Sequence, residues 1–189
     1  MAVDVPATAM AMAITVRAAT SSPAQAGEVA GETKVTIMDQ GLWQALYEAV
    51  FRQGYLLDAI ASEFINSTPT PMHGVARWLQ CEAEERWKIA KKIKKKMVKY
   101  GAAPISPAIP SISQQKPEGA MQIIMTGETA CLDAAHCLLA SGCKHIQHIY
   151  YEDIGKQHDE TKGYFTMFPA KDHVAQSEFD RKMWHKYAD

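Results

Sequence analysis

An excess of charge of either sign is missing from this sequence. Its 20 Lys and Arg against 21 Asp and Glu leave a net charge of −1, so the total exerts no pull towards nucleic acid or membrane. No apolar run approaches the ~20 residues of a membrane-crossing helix, so a span is not expected. Cysteine is sparse: Cys81, Cys131, Cys137 and Cys143 contain no CxxC pair, and helical spacing sends them to different faces. They read as reduced, semi-buried thiols. Among scattered histidines only His145 and His148 stand at a spacing that could share a metal, and a surface pair is the plainer reading.

What is present suits one domain with tails. Hydrophobic residues at 47 % can fill one sizeable core in 189 residues. Residues 1–38 are rich in Ala, Thr, Ser and Val, poor in acid, and carry Pro6, Pro23 and the single Arg17 ahead of Lys34. They suggest an extended arm or an organelle leader, mitochondrial first, with plastid or cytosol as alternatives. A bundle is expected over 39–168 and a C-terminal extension over 169–189.

The longest uninterrupted stretch is Ala76–Gly101, which has no proline and no glycine before its last residue. It predicts a helix of about 25 residues, roughly 37 Å long. A first helix over 40–66 has an inner stripe of Leu42, Leu46, Ala49, Gln53, Leu56, Ile60 and Phe64. Trp43, Tyr47, Phe51, Tyr55 and Ile65 fall outside that stripe, which suggests cover from a partner subunit. The proline-punctuated turn before the long helix implies an antiparallel pair, and the four-proline segment 102–117 implies a crossover running the length of a bundle. A third helix is expected over 118–141 and a fourth over 144–168, the latter weakened by Gly155 and Gly163. The fourth presents Ile146, Tyr150, Asp153, Gln157, Tyr164 and Phe168 inwards. A polar helix over 172–187 offers Val174, Phe179, Met183, Trp184 and Tyr187 for docking.

Two helical hairpins joined by a long crossover is one layout of the all-α four-helix bundle. Ala76–Gly101 resembles the second helix of ferritins, whose motif runs roughly A-x-x-(W/F)-x-x-x-x-x-E-E-x-x-H-A and ends in glycine. The following GAAPISPAIP resembles the ferritin crossover. The resemblance covers about 42–168. It implies a ferritin-like bundle with a dinuclear iron site, fed by the second helix's E-x-x-H, a glutamate and a tyrosine on the first helix, and acidic or amide residues on the third and fourth.

Two registers lay that motif on this chain. One takes Glu85 as the second-helix glutamate, puts Lys88 at the histidine, and recruits Glu48 and Tyr55. The ungapped register, anchored at Ala76, Ala90 and Gly101, puts Arg86 at the glutamate and Ile89 at the histidine. Helical period favours the second. Arg86 and Glu82 share the inward stripe of Leu79, Ile89, Ile93 and Met97, while Glu85 lies at its edge and Glu48 faces Arg52 at i+4. The altered iron positions are then Arg86, Ile89, Glu128, Glu82, Asp153 and Glu160. Arg86 is expected to stand where a metal would stand, with Glu128 and Glu82 or Asp153 around it; the plainer alternative has Arg86 snorkelling out of the bundle end.

Seven lysines crowd 88–99. Such a run is usually a solvated face, but Lys88, Lys91, Lys92, Lys95 and Lys99 could meet an acidic protein or anionic lipid. Only Trp87 and Tyr100 interleave, which disfavours nucleic acid. The expectation is a non-catalytic structural or accessory subunit of a larger assembly or homo-oligomer, without catalytic residues or cofactor. The alternative is an iron-storage ferritin subunit with weak or no ferroxidase activity. Another diiron enzyme would need E-x-x-H pairs from two helices, and Glu82-x-x-Glu85 is the nearest approach.

Overall fold

The computed structural model describes residues 37–66, 71–109, 111, 117–169 and 171–188. The N-terminal arm and its leader-like character therefore lie, except for residues 37–38, outside the described residues. Helices make up the architecture: α1 Ile37–Asn66, α2 His73–Lys99, α3 Pro117–Ala140, α4 Lys156–Met167 and α5 His173–Tyr187. A 3-10 turn at Lys144–Ile146 and a π-helical segment at Ile149–Gly155 lead into α4, and together the three form a fourth column. There is no strand among the described residues.

Two apolar clusters define the order of the columns. One joins Leu57, Ile60 and Phe64 from the end of α1 to Val75, Ala76, Trp78, Leu79 and Ala83 at the start of α2, Met121 and Ile124 at the start of α3, and Tyr164 of α4 with Phe168 just after it. The other joins Trp43, Leu46 and Val50 to Ile89, Ile93 and Met97 of α2, Cys131, Ala135 and Leu138 of α3, and Ile146, Ile149 and Ile154. The columns thus run up, down, down, up, and the α2–α3 connection must travel from one end to the other. Its first part is fastened to α1, where the Gln44 amide donates to the Ile105 carbonyl at 2.8 Å and accepts from the Ile105 N–H at 3.0 Å.

α2 ends as its sequence requires. Gly101 adopts φ 81°, where a Cβ would be strained. The Ala102 N–H reaches the Met97 carbonyl and the Gly101 N–H the Val98 carbonyl, closing the orphan carbonyls in a Schellman arrangement. The start of α2 has no side-chain cap of its own. Asp180 of α5 supplies one, its Oδ1 accepting from the Val75 N–H at 2.8 Å.

That contact needs Gly74. A Cβ there would lie 1.9 Å from the Asp180 carbonyl oxygen and 2.6 Å from the Trp184 nitrogen, both backbone atoms. Arg77 Nε donates to the Tyr187 carbonyl, and Phe179 and Met183 enter the first cluster. α5 is therefore part of the core. Of its five expected docking residues, Val174 and Trp184 face outwards, because backbone contact at Gly74 sets the rotation of the helix.

Several expectations are corrected. Of the residues outside the expected stripe of α1, Trp43 and Tyr47 are buried within the chain itself, Phe51 packs edge-on against Trp87, and Tyr55 and Ile65 are half-buried. α2 and α3 cover two flanks of α1, which widens its buried face beyond one stripe. In the fourth column Ile149 and Ile154 are buried while Tyr150 and Asp153 are only half-buried. The i→i+5 hydrogen bonding of the π segment widens the turn, so its buried residues depart from the 3.6-residue period of an α-helix. Finally, Gly119–Ala140 is long and apolar enough to cross a membrane by length and composition. In this fold it is a wall of the bundle, with Glu128 at its centre paired to another helix.

Candidate functional site: a buried ion pair at the bundle centre

A polar layer separates the two apolar clusters. α1 contributes Gln53, α2 contributes Glu82 and Arg86, and α3 contributes Glu128, all buried. The side chains of Arg86 and Glu128 are 0 % and 1 % exposed and form an ion pair. A fully desolvated charge survives in a core only with such a partner. Gln53 Nε2 donates to the other Glu128 oxygen at 2.8 Å and to the Ile124 carbonyl at 3.1 Å. Arg86 also has unpaired donors at Nε and Nη1, while Gln53 Oε1 and Gln157 Oε1 lack donors among the described residues.

The layer relies on a glycine that helical periodicity does not mark. A Cβ on Gly127 would lie 1.8 Å from Gln53 Oε1, so the missing side chain on α3 makes room for the amide. Cys131, one turn along, is fully buried beside the pair. Burial pushes its thiol up to about 12; Arg86 opposes the shift and Glu128 adds to it.

Glu82 sits one turn before Arg86. Burial, then repulsion from Glu160 and Glu128, raises its carboxyl to about 7, against partial relief from Arg86 and the Trp78 hydrogen bond. Trp78 Nε1 donates to Glu82 Oε1 at 3.2 Å. Glu160 belongs to a separate cluster, accepting from Tyr164, Tyr187 and Lys186 at 2.9–3.1 Å. Burial pushes Glu160 up, but those hydrogen bonds and the Lys186 charge outweigh it and leave the carboxyl below its ordinary value.

The structure brings Arg86 and Glu128 into contact and sets Glu82 one turn away, where Glu160 and Glu128 both act on it; it keeps Asp153 and Ile89 apart from the pair. Asp153 does not join Arg86; it lies on the π segment and pairs with Lys92 at 2.9 Å. Lys92 is thereby committed within the chain. Ile89 is an ordinary core residue of the second cluster. In the other register, Glu48 pairs with Arg52 at 3.5 Å and accepts from Gln44, Glu85 is exposed and pairs with Lys88, and Tyr55 is half-buried. These three do not meet. Gln53 was visible as an inward polar residue in the helical period and Glu128 as an altered iron position; Gly127 and the Glu160–Tyr187 contact gave no signal.

A dinuclear iron centre does not fit this donor set. Arg86 brings a cation into the layer, Glu128 is held by Arg86 and Gln53, Glu160 by Lys186 and two tyrosines, and Asp153 by Lys92. Among the described residues no group of three or more His, Cys, Asp and Glu could hold a metal ion. His145 stacks on Tyr100 rather than pairing with His148 across a shared site. No protein-family model matches this sequence, and no curated protein matches it.

Proposed function

We propose that this chain is a ferritin-like four-helix bundle in which a protein ion pair has taken the place of a dinuclear iron centre. In this reading it serves as a non-catalytic structural or accessory subunit of a larger assembly. The observation that carries the reading is Arg86, wholly buried on α2 and paired with Glu128 of α3. A fixed guanidinium among carboxylates neutralises them without a metal and repels an incoming divalent cation. Three features support the ferritin-like part: the up, down, down, up order of the columns, the polar layer at mid-length, and the likeness of Ala76–Gly101 to a ferritin second helix. The exposed Val174 and Trp184 of α5 and Met167 of α4 offer apolar surface of the kind that subunit contacts cover. A mitochondrial setting rests on the acid-poor first segment alone.

Anaerobic iron(II) titration of the purified chain and of Arg86→Glu/Ile89→His tests this reading. The wild type is expected to retain no stoichiometric iron, and the double variant to gain affinity. Tight binding of iron by the wild type sinks the proposal. Size-exclusion chromatography of the native protein separates the remaining alternative, because a storage subunit would elute as a large hollow shell of identical chains.

A further inference from the structure

The last turns of α2 and the residues after it form a basic end of the bundle with aliphatic side chains set into it. Lys91, Lys94, Lys95 and Lys99 are exposed and enter no ion pair among the described residues. Their neighbours are committed: Lys88 to Glu85, Lys92 to Asp153, and Lys96 to the His145 carbonyl. Val98 is 61 % exposed at i+3 from Lys95 and i+4 from Lys94, so it stands among exposed ammonium groups, of which that of Lys99 lies over the Tyr100 ring at 5.8 Å. Ile105 is 69 % exposed, and its two hydrogen bonds to Gln44 hold it near the start of α1, the end of the bundle where α2 finishes.

The choice of cation is informative. From Lys88 to Gly101 every basic residue is lysine and none is arginine. Arginine offers the planar two-pronged recognition that protein and nucleic-acid interfaces favour, and lysine is depleted from protein interfaces. A layer of anionic headgroups asks for positive charge density rather than fixed geometry, and it accepts short aliphatic side chains at its boundary. We propose that this end of the bundle docks on an anionic lipid surface. Lys91, Lys94, Lys95 and Lys99 meet the headgroups, and Val98 and Ile105 enter the interfacial layer. The proposal is independent of the fate of the iron centre.

Co-sedimentation of the full chain with vesicles tests it. The protein is expected to pellet with phosphatidylcholine vesicles containing phosphatidylserine, to stay in solution with phosphatidylcholine alone, and to be released by salt. At about fivefold per lysine, changing Lys91, Lys94, Lys95 and Lys99 together to Gln lowers the partition coefficient more than about a hundredfold. Val98→Ser/Ile105→Ser weakens binding several-fold and leaves the salt dependence unchanged. All six side chains are exposed, so circular dichroism and Tm verify that the variants fold. Equal binding to both vesicle types, no binding to the anionic ones, or an unaffected quadruple variant overturns the proposal. So does tighter binding to polyglutamate or to RNA than to the anionic vesicles.

Discussion

Arg86 on α2 and Glu128 on α3 neutralise each other across the centre of the bundle, with neither side chain more than 1 % exposed. The pair separates two apolar clusters that would otherwise be continuous, and Gln53 of α1 holds the carboxylate from a third side. Breaking a buried pair leaves a charge that neither water nor a counter-ion reaches, whereas removing both partners leaves none. Arg86→Met alone should therefore lower stability by about 3–5 kcal/mol. Adding Glu128→Leu should recover most of that loss. Chemical denaturation of the two singles and the double gives the coupling; strictly additive losses would show that the pair is not a unit.

Glu82 makes the stability of the fold depend on pH. Its carboxyl titrates at about 7 in the folded chain, against 4.5 as the ordinary value. The folded state holds the proton more tightly than the unfolded state. The protonated form's stability is thus fully present below about 4.5 and lost as pH rises through about 7. Glu82→Gln cannot ionise. Relative to wild type it should gain up to about 3 kcal/mol across this window and level off above it. Denaturation midpoints measured as a function of pH check the sign, and a Gln variant that loses ground as pH rises would refute the assignment.

The helices and their polar centre were legible because a 3.6-residue period is a local property. Arg86 and Glu82 fall on the stripe of Leu79, Ile89 and Ile93, and that stripe is buried. The same period fails in the fourth column, where the π segment pairs Ile149 with Ile154 and carries Asp153 to the edge, within reach of Lys92. The docking of α5 was hidden for another reason. A glycine two residues after Met72 reads as part of a turn, and its use as a seat for the Asp180 backbone depends on a segment a hundred residues away. The cover over Trp43 and Tyr47 was illegible in the same way, since packing of two neighbours around α1 is not encoded in α1.

Gly74 and Gly127 should respond to alanine in different ways. At Gly74 the obstruction is backbone, 1.9 Å from a new Cβ, so α5 must move. Gly74→Ala should cost about 1–3 kcal/mol and expose the α4–α5 junction to limited proteolysis. At Gly127 the obstruction is the Gln53 amide, the end of a flexible side chain. Gly127→Ala should destabilise the wild type by displacing Gln53 from Glu128. In a Gln53→Ala background it should become neutral or stabilising by up to about 1 kcal/mol, the helix preference for Ala over Gly. An unchanged cost in that background would mean that Gln53 is not what Gly127 accommodates.

Cys131 and Cys137 lie on one helix with opposite prospects for reaction. Cys137 is exposed, whereas Cys131 is fully buried and its thiol is pushed up to about 12, chiefly by burial. At neutral pH such a thiol is ionised to roughly one part in 10⁵, and no path leads a reagent to it while α3 stays packed. Alkylation of the native protein followed by mass spectrometry should label Cys137 promptly and leave Cys131 untouched until denaturant is added. Arg86→Met should then speed labelling of Cys131. The unpaired Glu128 it leaves behind would favour local opening at the same level of the bundle. Prompt labelling of Cys131 in the wild type would show that the inner face of α3 opens without global unfolding, and that the polar layer does not hold the core closed.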